Sequence, residues 1–235
     1  MFAITPNILS RFLNSLSPFI LILSCFLICV ATVLILFLEN DYYQGVSFKI
    51  MFIHVPAAWI SLMFFFIMGL SSIIGIIFKS PSAFTISRAL SPIGLIMSIV
   101  VLATGSIWGN LTWGTYWVWD ARLTSMLILS FIYFGHILLL YSFEHFQKAD
   151  FAASILAIIG LVNLPIVKFS VDWWTTLHQG SSVFKIGGPS LTTDYLITLL
   201  VSFTAILLLS LYWFVSIFYI ITENRKIERA KLLND

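Results

Sequence analysis

Apolar residues run in long blocks along this chain, and the few charged residues sit in the gaps between them. A helix needs about 20 mostly apolar residues to cross a bilayer. Six blocks are that long, roughly 17–38, 51–78, 89–108, 124–143, 151–168 and 195–221. Backbone amides in hydrocarbon find no water, so each block must satisfy its own hydrogen bonds, which a helix does. The expected fold class is therefore all-α: a polytopic membrane protein of six transmembrane helices, forming one integral-membrane domain over residues 1–235. The first block exceeds the core of a signal peptide and no small-residue cleavage pattern follows it, so it is expected to be a retained span.

Composition strengthens this reading. The 235 residues are 60% hydrophobic and 9% charged, against about 25% charged in an ordinary soluble domain. The lipid bilayer is the expected surroundings of most side chains. A net charge of +2 is too small to attract nucleic acid, and none is expected as a partner. Placement matters more than the sum, because cytoplasmic loops carry an excess of Lys and Arg. With the N-terminus inside, Arg11, Lys79, Arg88, Lys148, Arg225, Lys226, Arg229 and Lys231 are inner, while Lys49, Arg122, Lys168 and Lys185 are outer. Eight of the twelve cations are then inside, which favours an N-in, C-in topology. The mixed-charge tail 223–235 reads as a solvated helical extension. Three outer segments result, 39–50, 109–123 and 169–194, and the inner loops 79–88 and 144–150 are short. Elaborate chemistry is expected outside.

Absent motifs narrow the function. There is no G-x-x-x-x-G-K-[ST] phosphate loop, so ATP hydrolysis is not expected of this chain. No row of charges lies within a span, which argues against ion-coupled transport. The two cysteines, Cys25 and Cys29, are four residues apart in the first block. They form neither a C-x-x-C redox motif nor a C-x-x-C-H attachment site, and they read as small residues on one helix face.

Tryptophan and histidine carry the positive signal. Seven of the eight tryptophans, Trp59, Trp108, Trp113, Trp117, Trp119, Trp173 and Trp174, fall on the outer side, and only Trp213 lies towards the inner one. An interfacial belt would be shared between both faces. A one-sided cluster suits a docking surface for a flat apolar ring. His54 near the outer end of the second span and His178 in the third outer segment lie beside these tryptophans. Imidazole is a common metal ligand and an axial ligand of haem iron. His136, within a span, and His145, in an inner loop, read as ordinary polar residues. Arg122 has two open roles: pairing with Asp120, or meeting a ligand carboxylate such as a propionate. Thr124 is expected to cap the fourth helix. Asn163 and Pro165 mark a loosened helix that orients the Trp173–Trp174–His178 segment, with Asn163 serving freed backbone groups and Lys168 snorkelling outward.

The run Trp113-Gly114-Thr115-Tyr116-Trp117-Val118-Trp119-Asp120 resembles the tryptophan-rich WWD signature of haem-handling membrane proteins. Together with six spans, the His54–Trp59 segment and the segment 163–180, it resembles the CcmC family, the haem exporter and delivery proteins of system I cytochrome c maturation. The resemblance covers about residue 47 to the end of the sixth span. Tyr116 stands where many members are expected to carry Trp, and it keeps an aromatic face. The resemblance implies that His54 and His178 are axial ligands of the iron of a transiently and non-covalently held haem b. It implies a haem platform made by Trp113, Trp117, Trp119 and Asp120. Arg122, Trp173 and Trp174 complete the expected haem-binding set. The implied partners are haem, the haem chaperone CcmE, the ABC subunits CcmA and CcmB, and CcmD, in a bacterial cytoplasmic membrane or a mitochondrial inner membrane. The implied role is binding and delivery, with no catalytic residue. The alternatives are a b-type membrane redox cytochrome, a non-haem scaffold or permease subunit, and a larger WWD haem synthetase.

Overall fold

The computed structural model describes residues 6–178, 180, 182–183 and 187–234. Gln179 and Lys185, read above as parts of an outer segment, lie outside the described residues. Among the described residues, seven α-helices follow one another: α1 Pro6–Phe37, α2 Met51–Phe78, α3 Pro81–Trp113, α4 Ala121–Tyr141, α5 Phe146–Gly160, α6 Asn163–Trp173 and α7 Thr193–Asn234. A short 3-10 turn, Val46–Ile50, leads into α2. Helices α5 and α6 form one interrupted crossing, so six segments are long and apolar enough to span a membrane. The chain is an all-helical, multi-pass membrane protein.

Local chemistry explains the helix ends. Ser80 caps α3, with Pro81 in the first helical turn, where its missing N–H costs nothing. Gly114, at φ 74, closes α3 in the left-handed conformation and donates its N–H to the Asn110 carbonyl. The third helix thus runs five residues past the expected end at 108, and Trp113 stands on its last turn. Asp120, not Thr124, caps α4: its extended backbone leaves Oδ1 to accept the Leu123 N–H at 2.8 Å. A carboxylate is also the better partner for the helix dipole. The fifth crossing breaks at Leu161–Val162. Pro165 then sits in the first turn of α6, which it tolerates, so it helps to start that helix and does not loosen it. Asn163 reaches across to α4, its Nδ2 donating to the Ser125 carbonyl at 2.9 Å, and does not serve its own backbone.

The core lies between α2, α3 and α4, closed by α5, α6 and α7. Ile60, Phe64, Phe65 and Met68 of α2 meet Leu90, Ile93 and Met97 of α3 and Leu129 and Tyr133 of α4. Tyr133 fits because Gly94 leaves room for its ring, and its hydroxyl donates to the Ser61 carbonyl at 2.8 Å. Helix α1 packs along α7 and is otherwise open to lipid, its cysteines included. Near the end expected inside, Arg88 of α3 and Arg225 of α7 both hold the buried Asp150 of α5. Asp150 was expected in a loop, but α5 begins at Phe146 and takes it into the bundle.

Candidate functional site

Four helix ends converge at the end expected outside: the start of α2, the end of α3, the start of α4 and the end of α6. They enclose an open cavity of about 700 Å³ together with the turn before α2 and the segment after α6. Ligand pockets commonly occupy roughly 300–1,000 Å³. His54, His178, Trp113 and Arg122 all line it, with Trp59, Trp108, Lys168 and Asp172. A smaller hollow of about 60 Å³ lies against the same two histidines and Arg122, and Trp117 lines it.

His54 projects from the first turn of α2 against α3. Its Nδ1 is 3.0 Å from the Thr104 hydroxyl, and its ring stands edge-on to Trp108, with centroids 5.8 Å apart. His178 comes from the segment after α6. Its ring lies 4.9 Å from that of Trp113, and its Nδ1 is 3.7 Å from Asp120 Oδ2 without forming a hydrogen bond. Asp120 holds this segment in place. Oδ2 accepts the Thr176 hydroxyl at 2.5 Å, and the Thr176 oxygen accepts the His178 backbone N–H at 3.0 Å. Burial pushes the His178 imidazole down to about 4 from 6.5; Arg122 pushes the same way and Asp120 opposes them. His178 is therefore neutral at physiological pH, with a lone pair to offer.

Asp120 is thus committed to the α4 cap and to Thr176. Arg122 makes no ion pair within 4 Å among the described residues, and it faces both hollows. Of the two roles left open for Arg122, close pairing with Asp120 is not seen among the described residues, and Asp120 spends its oxygens on Leu123 and Thr176. Trp117 keeps a buried indole N–H without a partner among the described residues. Trp119, 78% exposed, stacks edge-on to Trp117 outside the main cavity. Trp173 and Trp174, about half exposed, also lie outside its lining; Trp173 stacks on Phe169. Of the set, only Trp113 and Trp117 line a hollow.

Sequence reasoning passed over Thr104, Gly105, Gln44 and Asp172, and it did not single out Trp59 or Trp108. The one signal available was the spacing of Thr104, Gly105, Trp108, Gly109 and Thr112, which shares one face of α3. His136 is buried, its two ring nitrogens 3.2 and 3.0 Å from Ser87 and Ser91, as suits a structural polar residue. His145 stands at the N-cap position of α5 without a side-chain cap bond.

Two imidazoles, indole rings and a guanidinium thus meet around one cavity at one end of the helix bundle of a polytopic membrane protein. The family described as CcmC, Heme exporter protein C, matches residues 2–232, and the chain belongs to it. It is 48% identical over 170 residues to Heme exporter protein C of Bradyrhizobium diazoefficiens, a match covering 72% of this chain and 65% of that one. It is 47% identical over 146 residues to Heme exporter protein C of Escherichia coli K12, covering 62% of this chain and 60% of the relative. A putative cytochrome c biosynthesis ccmC-like mitochondrial protein of Marchantia polymorpha is 43% identical over 188 residues, covering 80% and 77%. The matches thus span less than two thirds of the first and second of these relatives.

Proposed function

We propose that this chain takes up haem as cargo at the outer face of a bacterial cytoplasmic membrane, or the matching mitochondrial membrane, and delivers it for cytochrome c maturation. The observation that carries this reading is that His54 and His178, far apart in sequence, line one cavity with Trp113 and Arg122. Two neutral imidazoles supply axial lone pairs to iron. Indole faces and edges suit the macrocycle, and the Arg122 guanidinium suits a propionate. Without a C-x-x-C-H motif in the sequence, haem b is held non-covalently and can leave. The exposed tryptophans Trp119, Trp173 and Trp174 are where the receiving chaperone, CcmE, would meet the cargo. CcmA, CcmB and CcmD complete an ABC-type complex that supplies the energy for release. The role is binding and hand-over. His136, with both ring nitrogens near serine hydroxyls, offers no free ligand within the bilayer, which counts against an electron-transferring cytochrome.

The test is haem content, measured by pyridine haemochrome on protein purified with its chaperone co-expressed. His54→Ala and His178→Ala should each lose haem or its six-coordinate spectrum at unchanged protein level. Haem-free wild type, or variants indistinguishable from it, would overturn the reading in favour of a scaffold.

A further inference from the structure

We infer that Thr104 is the positioning residue that sets the tautomer of His54, placing the ring proton on Nδ1 and leaving Nε2 as the free lone pair. The use of that lone pair rests on the haem reading above; the tautomer itself does not.

The argument is an accounting of protons. The Thr104 hydroxyl stands 2.6 Å from the Val100 carbonyl oxygen, 3.3 Å from that of Val101 and 3.0 Å from His54 Nδ1. It owns one proton. Two oxygens at 2.6 Å repel unless a proton lies between them, and a threonine on a helix commonly donates back to the carbonyl four residues earlier. The Thr104 proton is therefore spent on Val100, and only an oxygen lone pair faces His54. Nδ1 must donate to it. A neutral imidazole carries one N–H, so Nε2 is bare. The Val101 carbonyl of α3 also accepts from the His54 ring, so a second acceptor lies on the side of Thr104, and His54 lines both hollows.

Helix α3 also fixes the ring's position. A Cβ at Gly105 would come within 3.0 Å of His54 Cε1, so glycine there allows the close approach. Trp108 covers the ring from the next turn, its own N–H donated to Gln44 Oε1 at 2.7 Å. Residues 104, 105 and 108 thus hold the imidazole from one helix face. His178 is different: among the described residues its Nδ1 has no hydrogen-bond partner, only the Asp120 carboxylate at 3.7 Å. Partners of this kind orient ligating histidines and typically change metal affinity by about 10–100-fold when removed.

The experiment compares Thr104→Val, which keeps the shape and loses the hydroxyl, with Thr104→Ser, which keeps the hydroxyl. Nitrogen-15 NMR of histidine-labelled protein in nanodiscs, with the His54 signals assigned by their loss in His54→Ala, reads the tautomer without haem. Wild type and Thr104→Ser should carry the proton on Nδ1, and Thr104→Val should shift to Nε2–H or a mixture. In haem titrations, Thr104→Val should bind roughly 10–100-fold more weakly and move from a six- to a five-coordinate spectrum, with Thr104→Ser close to wild type. Wild-type His54 protonated on Nε2, or a Thr104→Val protein with an unaltered tautomer, overturns the inference. A tautomer change with a haem spectrum that neither Thr104→Val nor His54→Ala alters upholds the hydrogen-bond assignment and sinks the haem-ligand reading.

Discussion

At the scale of single residues, Asp120 joins local folding to the site. One oxygen caps α4 and the other anchors Thr176, whose oxygen in turn holds the His178 backbone. Asp120→Ala should cost about 1 kcal/mol through the lost cap and should also loosen His178; Asp120→Asn keeps one acceptor oxygen for Leu123 but loses the charge and the second oxygen, which accepts from Thr176. Thermal unfolding in detergent and the haem spectrum separate the two effects, and Asn should retain most of the stability. The pH response of His178 has a defined sign. Its folded value lies at about 4, below the 6.5 of an unfolded chain. The unfolded state therefore binds more protons between these values, and the His178 contribution, present above 6.5, is lost as pH falls towards 4. Low-spin haem coordination through His178 should persist from pH 8 to about 5 and fall away only near 4, as a spectroscopic pH titration would read.

At the scale of elements, helix pairs meet where small residues admit large ones. Gly94 of α3 faces the Tyr133 ring of α4, and an added Cβ would overlap it. A ring buried on all sides cannot swing away, and its hydroxyl is held by the Ser61 carbonyl. Gly94→Ala should destabilise by about 1–3 kcal/mol through overpacking. Gly69→Ala, which meets the flexible Leu161 side chain, should cost less; denaturant unfolding of the two variants side by side tests the ranking. The broken fifth crossing has a role in the site. The helix breaks between Gly160 and Asn163, and Asn163 ties the new helix to α4. That places Lys168, Phe169 and Asp172 in the cavity wall.

At the scale of the whole molecule, the two ends of the bundle are built differently. At the cavity end, the Trp117 indole N–H and His178 Nδ1 have no hydrogen-bond partner among the described residues. The opposite end is closed by Arg88, Asp150 and Arg225, with the Phe146 ring beneath both guanidinium groups at 4.5 and 4.7 Å. This clasp joins α3, α5 and α7. Asp150→Ala would leave two largely buried arginines facing each other, and removal of one partner from such a cluster costs about 3–5 kcal/mol. The variant should show lower yield and a lower unfolding midpoint, while haem bound per folded molecule stays near wild type, because the clasp lies at the far end from the histidines.

The six spans and the all-helical class were legible in the sequence because hydrocarbon leaves the backbone one local solution, and block length alone reports it. The one-sided tryptophans and the pair His54 and His178 were legible too, since alternating crossings sort residues to one end or the other. Helix ends were not: Asp120 displaced Thr124 as the cap, and α3 ran on to Trp113, because competition among neighbouring caps is settled by backbone geometry. The engagement of Asp120 with Thr176 depends on a contact between residues 56 positions apart. The same holds for the Thr104 bond to His54, between residues 50 apart. Hydropathy decided which residues share an end of the molecule. Only packing decided which of them touch, because side-chain hydrogen bonds are set by differences of a few tenths of an ångström between helices that meet in space and not along the chain.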